Sequence, residues 1–428
     1  MNEILSRFRG AKLGSAARKL ASFASLSGLS QLLQLLGALI VIRTLSKEDY
    51  GYYSLANNLL GALAMFTTTG LSTGMMAVAG PVTKNAIRLG AVLSSAARLR
   101  LHLLMIGSLV GVPVYFWLLL RNGCTLAVTF ALITIAVVTI IIYIRSYVLG
   151  AALNLLRIYS TVQKEKVANS AIRILLLAAI FSVGLQGAVS YMITGLLAAA
   201  ISLRVYLVRA SRGVVDSDQP PDPEVGAALN KHVVVGMPSS LTYLFEGQIA
   251  ALLLAAFGNV DKVADLGAIA RFGLIFIVPL ALLKDVLIPR MATEENLSSL
   301  KKIWVYSSSI TALACLGIMA FFLVLSGPLL SLLGPSYSHL GGDMPLYVGF
   351  QVFVFFTMVV GSPIISRGWV RHSWVRPAFF LAAQAAAVPF LDLSTVRGAI
   401  LLSWAGALGN VILDAFLLYR GWRGKGHI

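Results

Sequence analysis

Charge is scarce in this chain, and acid is scarcest. Only 12% of the 428 residues are charged, and the 17 Asp and Glu are outnumbered by 34 Lys and Arg, for a formal charge of +17. There are two cysteines, Cys124 and Cys315, with no metal-ligand spacing around either, so neither a disulfide framework nor a thiolate metal site is expected. No GxxxxGK[ST] loop occurs, which argues against ATP hydrolysis by this chain. The histidines His102, His232, His339, His372 and His427 form no metal spacing and pair locally with no carboxylate. The sequence therefore predicts neither an enzyme nor a cofactor.

What is abundant is apolar. Hydrophobic residues fill 58% of positions and mean hydropathy is +0.85, beyond what a water-soluble domain carries. Long apolar runs suit helices crossing a hydrocarbon layer ~30 Å thick, at ~20 residues each. Lipid offers backbone groups no hydrogen-bond partners, and runs this continuous exclude alternating barrel strands, so the expected fold is all-α. Spans are predicted near 21–43, 52–77, 101–120, 125–144, 168–186, 188–208, 232–257, 264–287, 304–326, 343–365, 377–391 and 397–418. The eleventh is the shortest and carries Pro389.

The basic residues test this map. Of the 34, 28 fall on one set of alternate loops and five on the other (Arg43, Lys47, Arg121, Lys262 and Arg397), and Arg271 falls within a span. Basic loops stay cytoplasmic, so the +17 charge reflects membrane orientation rather than nucleic acid, and both termini are expected in the cytoplasm. The first twenty residues, with Arg7, Arg9, Lys12, Arg18 and Lys19, are too basic for a cleaved signal peptide and read as an amphipathic lead-in on the bilayer surface.

Residues 209–231 are the most polar stretch and read as a cytoplasmic linker between a first lobe, 1–208, and a second, 232–428. A weak repeat supports two lobes. Tyr50-Gly51 opens the second span with Asn58 seven residues beyond the glycine, and Val263-Ala264 opens the eighth with Arg271 seven beyond that alanine.

Arg43-Thr-Leu-Ser-Lys-Glu-Asp-Tyr-Gly51-Tyr-Tyr-Ser-Leu-Ala56, after a first span bearing Gln31 and Gln34, resembles the opening of polysaccharide flippases. Gly236-Met-Pro-Ser-Ser, the stretch Val263 to Phe272, and Ile288-Pro-Arg290 match the entry to the second half. The resemblance is to the MOP superfamily, and within it to the Wzx-type branch, and it covers essentially the whole chain. Two departures stand out: Ala264 replaces a usual glycine, and twelve spans rather than fourteen argue against the lipid II flippase branch. The resemblance implies two six-helix bundles around a central cavity that opens alternately to each side. It also implies an undecaprenyl-diphosphate-linked oligosaccharide as substrate, for O-antigen, lipopolysaccharide or exopolysaccharide at the cell surface, and the bacterial inner membrane as location.

Intramembrane charge is the sharpest local signal, costing ~2.5–3.5 kcal/mol per residue at a helix centre on insertion scales. Glu246 and Arg271 qualify, and counting from their helix ends puts both roughly 15 Å below the external surface, where a salt bridge between them is expected. Arg271 suits a diphosphate, which a guanidinium fork matches bidentately. Glu246 either holds Arg271 in the empty cavity or titrates, with a proton or sodium ion as coupling cation. Asn57, Asn58, Gln31 and Gln34 are the neutral first-lobe candidates for substrate binding. Thr67, Thr68 and Thr69 suit either sugar hydroxyls or helix–helix bonds. Asp414 lies near a helix end, where snorkelling to the interface is expected. Two alternatives are a multidrug or metabolite antiporter of the same superfamily, and a membrane polysaccharide polymerase or glycosyltransferase. Short external loops weigh against the latter.

Overall fold

The computed structural model describes residues 26–423 apart from 84, 157, 217–218 and 370–372. The basic lead-in before residue 21 lies outside the described residues, among which there is no strand. The chain is a multi-pass membrane protein of twelve helical spans in two six-helix halves.

The first half comprises α1 (Leu26–Thr44), α2 (Lys47–Thr68) continued by α3 (Leu71–Ala79), α4 (Ala86–Arg121), α5 (Leu126–Leu155), α6 (Tyr159–Val183) and α7 (Ala188–Ser211). The second comprises α8 (Pro223–Phe257), α9 (Val260–Leu280), α10 (Leu297–Val324), α11 (Asp343–Val360), α12 (Arg376–Ala387) and α13 (Val396–Trp422). Nine of these helices are long and apolar enough to cross a bilayer by length and composition alone. The remaining three spans are α2 with its continuation α3, the former with Lys47, Glu48 and Asp49 in its first turn, the long α8 and the short α12.

Side-chain caps start the helices where the apolar runs begin. Ser46 Oγ accepts from Asp49 N at 3.0 Å, Asn259 Oδ1 from Lys262 N at 3.0 Å, and Thr395 Oγ1 from Gly398 N at 3.1 Å. Asp222 caps α8 by accepting from Glu224 N, with Pro223 in the first helical position. The expected linker is therefore helical from Pro223 onward. The polar start of α8 packs on α3 and α4 of the first half, where Asp222 N donates to Ser95 Oγ at 2.8 Å.

Within the first half α2 packs on α4, α5 and α7, and in the second α13 packs on α12, α8 and α11. The halves meet at two levels. At the end expected to be external, α2 lies on α9 so closely that a Cβ on Gly51 would strike Val260, and one on Gly267 would stand 2.7 Å from Ser54 Oγ. Toward the linker, Gly70 breaks α2 from α3 with a positive φ of 63°, and a Cβ on Gly236 would reach Gly70 Cα at 2.7 Å. Glycine is required on both sides of that crossing because two backbones touch there. The Tyr50-Gly51 repeat thus marks the seam between the halves.

One buried arginine belongs to this scaffold. Arg100 on α4, 2% exposed, donates to Thr67 O at 3.1 Å and Thr67 Oγ1 at 3.3 Å, and stacks on Tyr147 with its guanidinium carbon 4.2 Å from the ring centre. Thr68 and Thr69 bond back to carbonyls of α2, so these three hydroxyls hold the helix end. Replacing Arg100 with methionine should destabilise the protein by about 1.5–3 kcal/mol, the usual worth of hydrogen bonds to a charged group, because Thr67 O loses its partner. Thermal unfolding in detergent, compared with the wild type, measures this.

Candidate functional site

Between α1, α2, α6 and α9 lies a small space of about 90 Å³ lined by Gln34, Ala38, Val41, Tyr50, Tyr53, Arg173, Arg271 and Leu274. Two arginines from opposite halves enter it. Arg271 Nε, from α9, reaches Tyr50 Oη at 3.4 Å, and Arg173, from α6, donates through Nη2 to Tyr53 Oη. Tyr50 and Tyr53 lie one turn apart on α2, 0% and 3% exposed, with stacked rings 6.1 Å between centres. The Nε of Arg173 is buried with no protein partner. No carboxylate lines this space.

Gln34 and Arg173 also line an adjoining chamber of about 320 Å³ between α1, α5 and α6. Gln31, Tyr143, Lys166 and Asn169 add polar groups there, and Glu165 is its acid, accepting from Ser202 Oγ at 2.8 Å. A third chamber, about 180 Å³, lies on the second-half side and holds Asn58, Glu246, Tyr347, Phe350, Gln351 and Ser403. The halves exchange side chains: Arg271 of the second enters the first-half space, and Asn58 of the first enters the second-half chamber.

Arg271 and Glu246 are not joined; no bridge between them occurs among the described ion pairs. Glu246 instead accepts from Asn410 Nδ2 of α13, and one turn on Asp414 is ion-paired with Arg376. Asp414 is therefore held inside the second half rather than snorkelling outward. Arg271 lies at the start of the stretch Ala270–Phe276, where α9 tightens to about three residues per turn, and its guanidinium meets Tyr50 of α2 instead. Of the amides, Gln31, Gln34 and Asn58 line chambers, whereas Asn57 donates to Tyr53 O of its own helix at 3.1 Å.

Arg173 escaped the sequence reading because it sits near the start of a predicted span and was counted with the cytoplasmic flank. Its signal was its place inside that apolar run, among Ile172, Ile174 and Leu175.

At the expected external end, Asp265 of α9 is 0% exposed and gathers three bases. Lys47 Nζ, from the first half, is 2.8 Å from Oδ1, His339 Nε2 is 3.0 Å from Oδ2, and Lys262 Nζ lies 4.0 Å away. Arg43 spans the same seam, donating to Leu332 O and Ser331 O, each at 2.8 Å. His339 and Asp265 are far apart in sequence, so the pairing was invisible to local spacing.

No protein-family model matches the chain, and no curated protein does. Solved structures do. The chain is similar to an inward-facing conformation of a multidrug resistance MATE family transporter of the MOP superfamily, with 18% identity, TM-score 0.69, and 92% of this chain and 94% of that one covered. An outward-facing conformation of such a transporter superposes with TM-score 0.60 at 18% identity, covering 95% and 94%. A MOP superfamily transporter from Pyrococcus furiosus, whose binding pocket is described as of reverse polarity suggesting a different function, gives 0.64 at 19% identity, covering 95% and 94%. The chain thus has the fold of these transporters.

Proposed function

We propose that the protein is a flippase, carrying an undecaprenyl-diphosphate-linked oligosaccharide across the bacterial cytoplasmic membrane for cell-surface polysaccharide. One observation carries this reading: arginines from both halves converge on a single space that no acid lines, and one of them keeps a buried N–H without a protein partner. Two guanidinium groups suit the oxygens of a diphosphate, because each can bond two of them in one plane.

A space of about 90 Å³ is far too small for an oligosaccharide, which passes only if the halves part. Both levels of contact between them would then open in turn, with the two halves moving as units about the connection between α7 and α8. Similarity to both inward- and outward-facing transporters supports such alternating access. The basic loops put both termini in the cytoplasm. Glu246, beside the Arg376–Asp414 pair, is the carboxylate that a proton or sodium ion would use for coupling.

A second reading, a multidrug or metabolite antiporter, draws on the third chamber, where Glu246 stands with Tyr347 and Phe350 in surroundings that suit an aromatic cation. Deleting the gene separates the two. The flippase reading expects loss of surface polysaccharide and build-up of the lipid-linked oligosaccharide on the cytoplasmic side, with drug susceptibility unchanged. Normal polysaccharide together with raised susceptibility to cationic drugs would establish the antiporter instead.

A further inference from the structure

A groove larger than any of the three chambers described above lies away from the seam between the halves. It runs down the outside of the second half between α10, α11 and α13, with a volume of about 700 Å³, inside the ~300–1,000 Å³ range of ligand sites. Its outer wall, α10, packs chiefly on α11, and the surface beyond faces the bilayer: Leu313 and Leu316 are 70% and 67% exposed. Gly349 makes the groove. A Cβ there would meet Trp404 at 3.5 Å and Met319 at 3.6 Å, ordinary contacts, so a longer side chain would fill the space without moving the backbone. Trp404 is fixed as the back wall by donating from Nε1 to Leu346 O at 3.2 Å and by packing on Phe353, ring centres 5.0 Å apart.

The lining is apolar except at one end, where Arg397 is its only charged residue. Arg397 is 67% exposed and lies 3.9 Å through Nε from Asp343 Oδ1, an exposed pairing of the kind worth little. Its remaining N–H groups are free to take an anion. From Gly342 at this mouth to Phe356 at the far end is fourteen residues, about 20 Å at ~1.5 Å per residue, whereas one leaflet's share of the hydrocarbon is roughly 15 Å.

We propose that this groove binds one anionic glycerophospholipid from the leaflet at which α11 and α13 begin, with its phosphate on Arg397 and an acyl chain along Met319, Gly349, Phe353 and Trp404. An apolar slot about 20 Å long, ending in an exposed arginine whose only ion pair is long, matches that molecule in charge and is long enough for an acyl chain and its phosphate. The groove lies on the bilayer side of the second half, away from the arginines between the halves, which assigns it to a lipid of the membrane rather than to the transported one.

The test uses the full chain in detergent with phosphatidylglycerol carrying a diazirine in one acyl chain. Crosslinks are expected within 312–319 and 345–356, abolished by Gly349→Leu and weakened about tenfold by Arg397→Ala. Unlabelled phosphatidylglycerol should compete, and diacylglycerol, which lacks the phosphate, should not. Arg397 is exposed, so its replacement leaves folding intact even if Gly349→Leu does not fold. Unchanged crosslinking in Arg397→Ala would overturn the phosphate contact. Competition by undecaprenyl phosphate but not by phosphatidylglycerol would overturn the assignment to a membrane phospholipid.

Discussion

Export of surface polysaccharide by the proposed flippase is expected to fall by at least about a hundredfold when Arg173 and Arg271 are both replaced by leucine. Hydrogen bonds to a charged group are each worth about 1.5–3 kcal/mol, and a diphosphate deprived of both forks loses at least two of them, while 1.4 kcal/mol is tenfold. Either single replacement should leave a partial activity, and lysine at either position should rescue incompletely, because a point charge does not reproduce the planar fork. The competing explanation is that the two arginines merely brace Tyr50 and Tyr53 across the seam. Tyr50→Phe with Tyr53→Phe separates the two explanations: it removes both hydroxyl partners and keeps both positive charges. If the arginines receive substrate, the double phenylalanine variant exports and the double leucine variant does not. A complementation assay for polysaccharide, with a membrane-insertion control, gives the answer. Full export by the double leucine variant, or equal loss in both double variants, would remove the arginines from substrate binding.

Apolar runs fix where a helix begins, and ~1.5 Å per residue then fixes depth, so Glu246 and Arg271 could be recognised as intramembrane charges. Direction around the helix axis is another matter. Arg271 stands at the start of the stretch Ala270–Phe276, wound at about three residues per turn, and which neighbour it meets depends on how α9 lies against α2, which no hydropathy pattern records. Hence the expected Glu246–Arg271 bridge gave way to Tyr50 on one side and Asn410 on the other. The start of α8 is hidden from hydropathy because 223–231 is polar, although its local signals, the Asp222 cap and Pro223 in the first turn, mark a helix that packs on α3 and α4. Burial of Arg100 and Arg173 depends on partners on other helices, which a count of flanking bases assigns to the interface by default.

Asp265→Asn is expected to open the seam between the halves at the end where α2 begins. The carboxylate is fully buried at the contact of α2 with α9, and its partner Lys47 belongs to the opposite half, so the ion pair exists only while that end is closed. Asparagine keeps the shape and removes the charge. Severing a buried pair costs up to about 3–5 kcal/mol, but Lys47 is 26% exposed and regains water, so a cost nearer 2 kcal/mol is expected, about 30-fold in the ratio of open to closed forms. Arg43 remains on the carbonyls of Ser331 and Leu332, which limits the opening to a shift in population rather than a permanently parted seam. Ser54 is a suitable reporter, being 3% exposed and pressed against Gly267 at the seam. In a background with Cys124 and Cys315 replaced by alanine, Ser54→Cys should react with a membrane-impermeant thiol reagent in intact cells about 30-fold faster once Asp265→Asn is added. Lys47→Met should act in the same direction, since it removes the other member of the pair. Because the reagent reaches only the outer face, the same measurement tests orientation: acceleration seen only with a membrane-permeant reagent would place this end in the cytoplasm. An unchanged rate with both reagents would mean that the ion pair does not hold the halves together and that glycine-mediated packing along Gly51 and Gly267 closes the seam unaided.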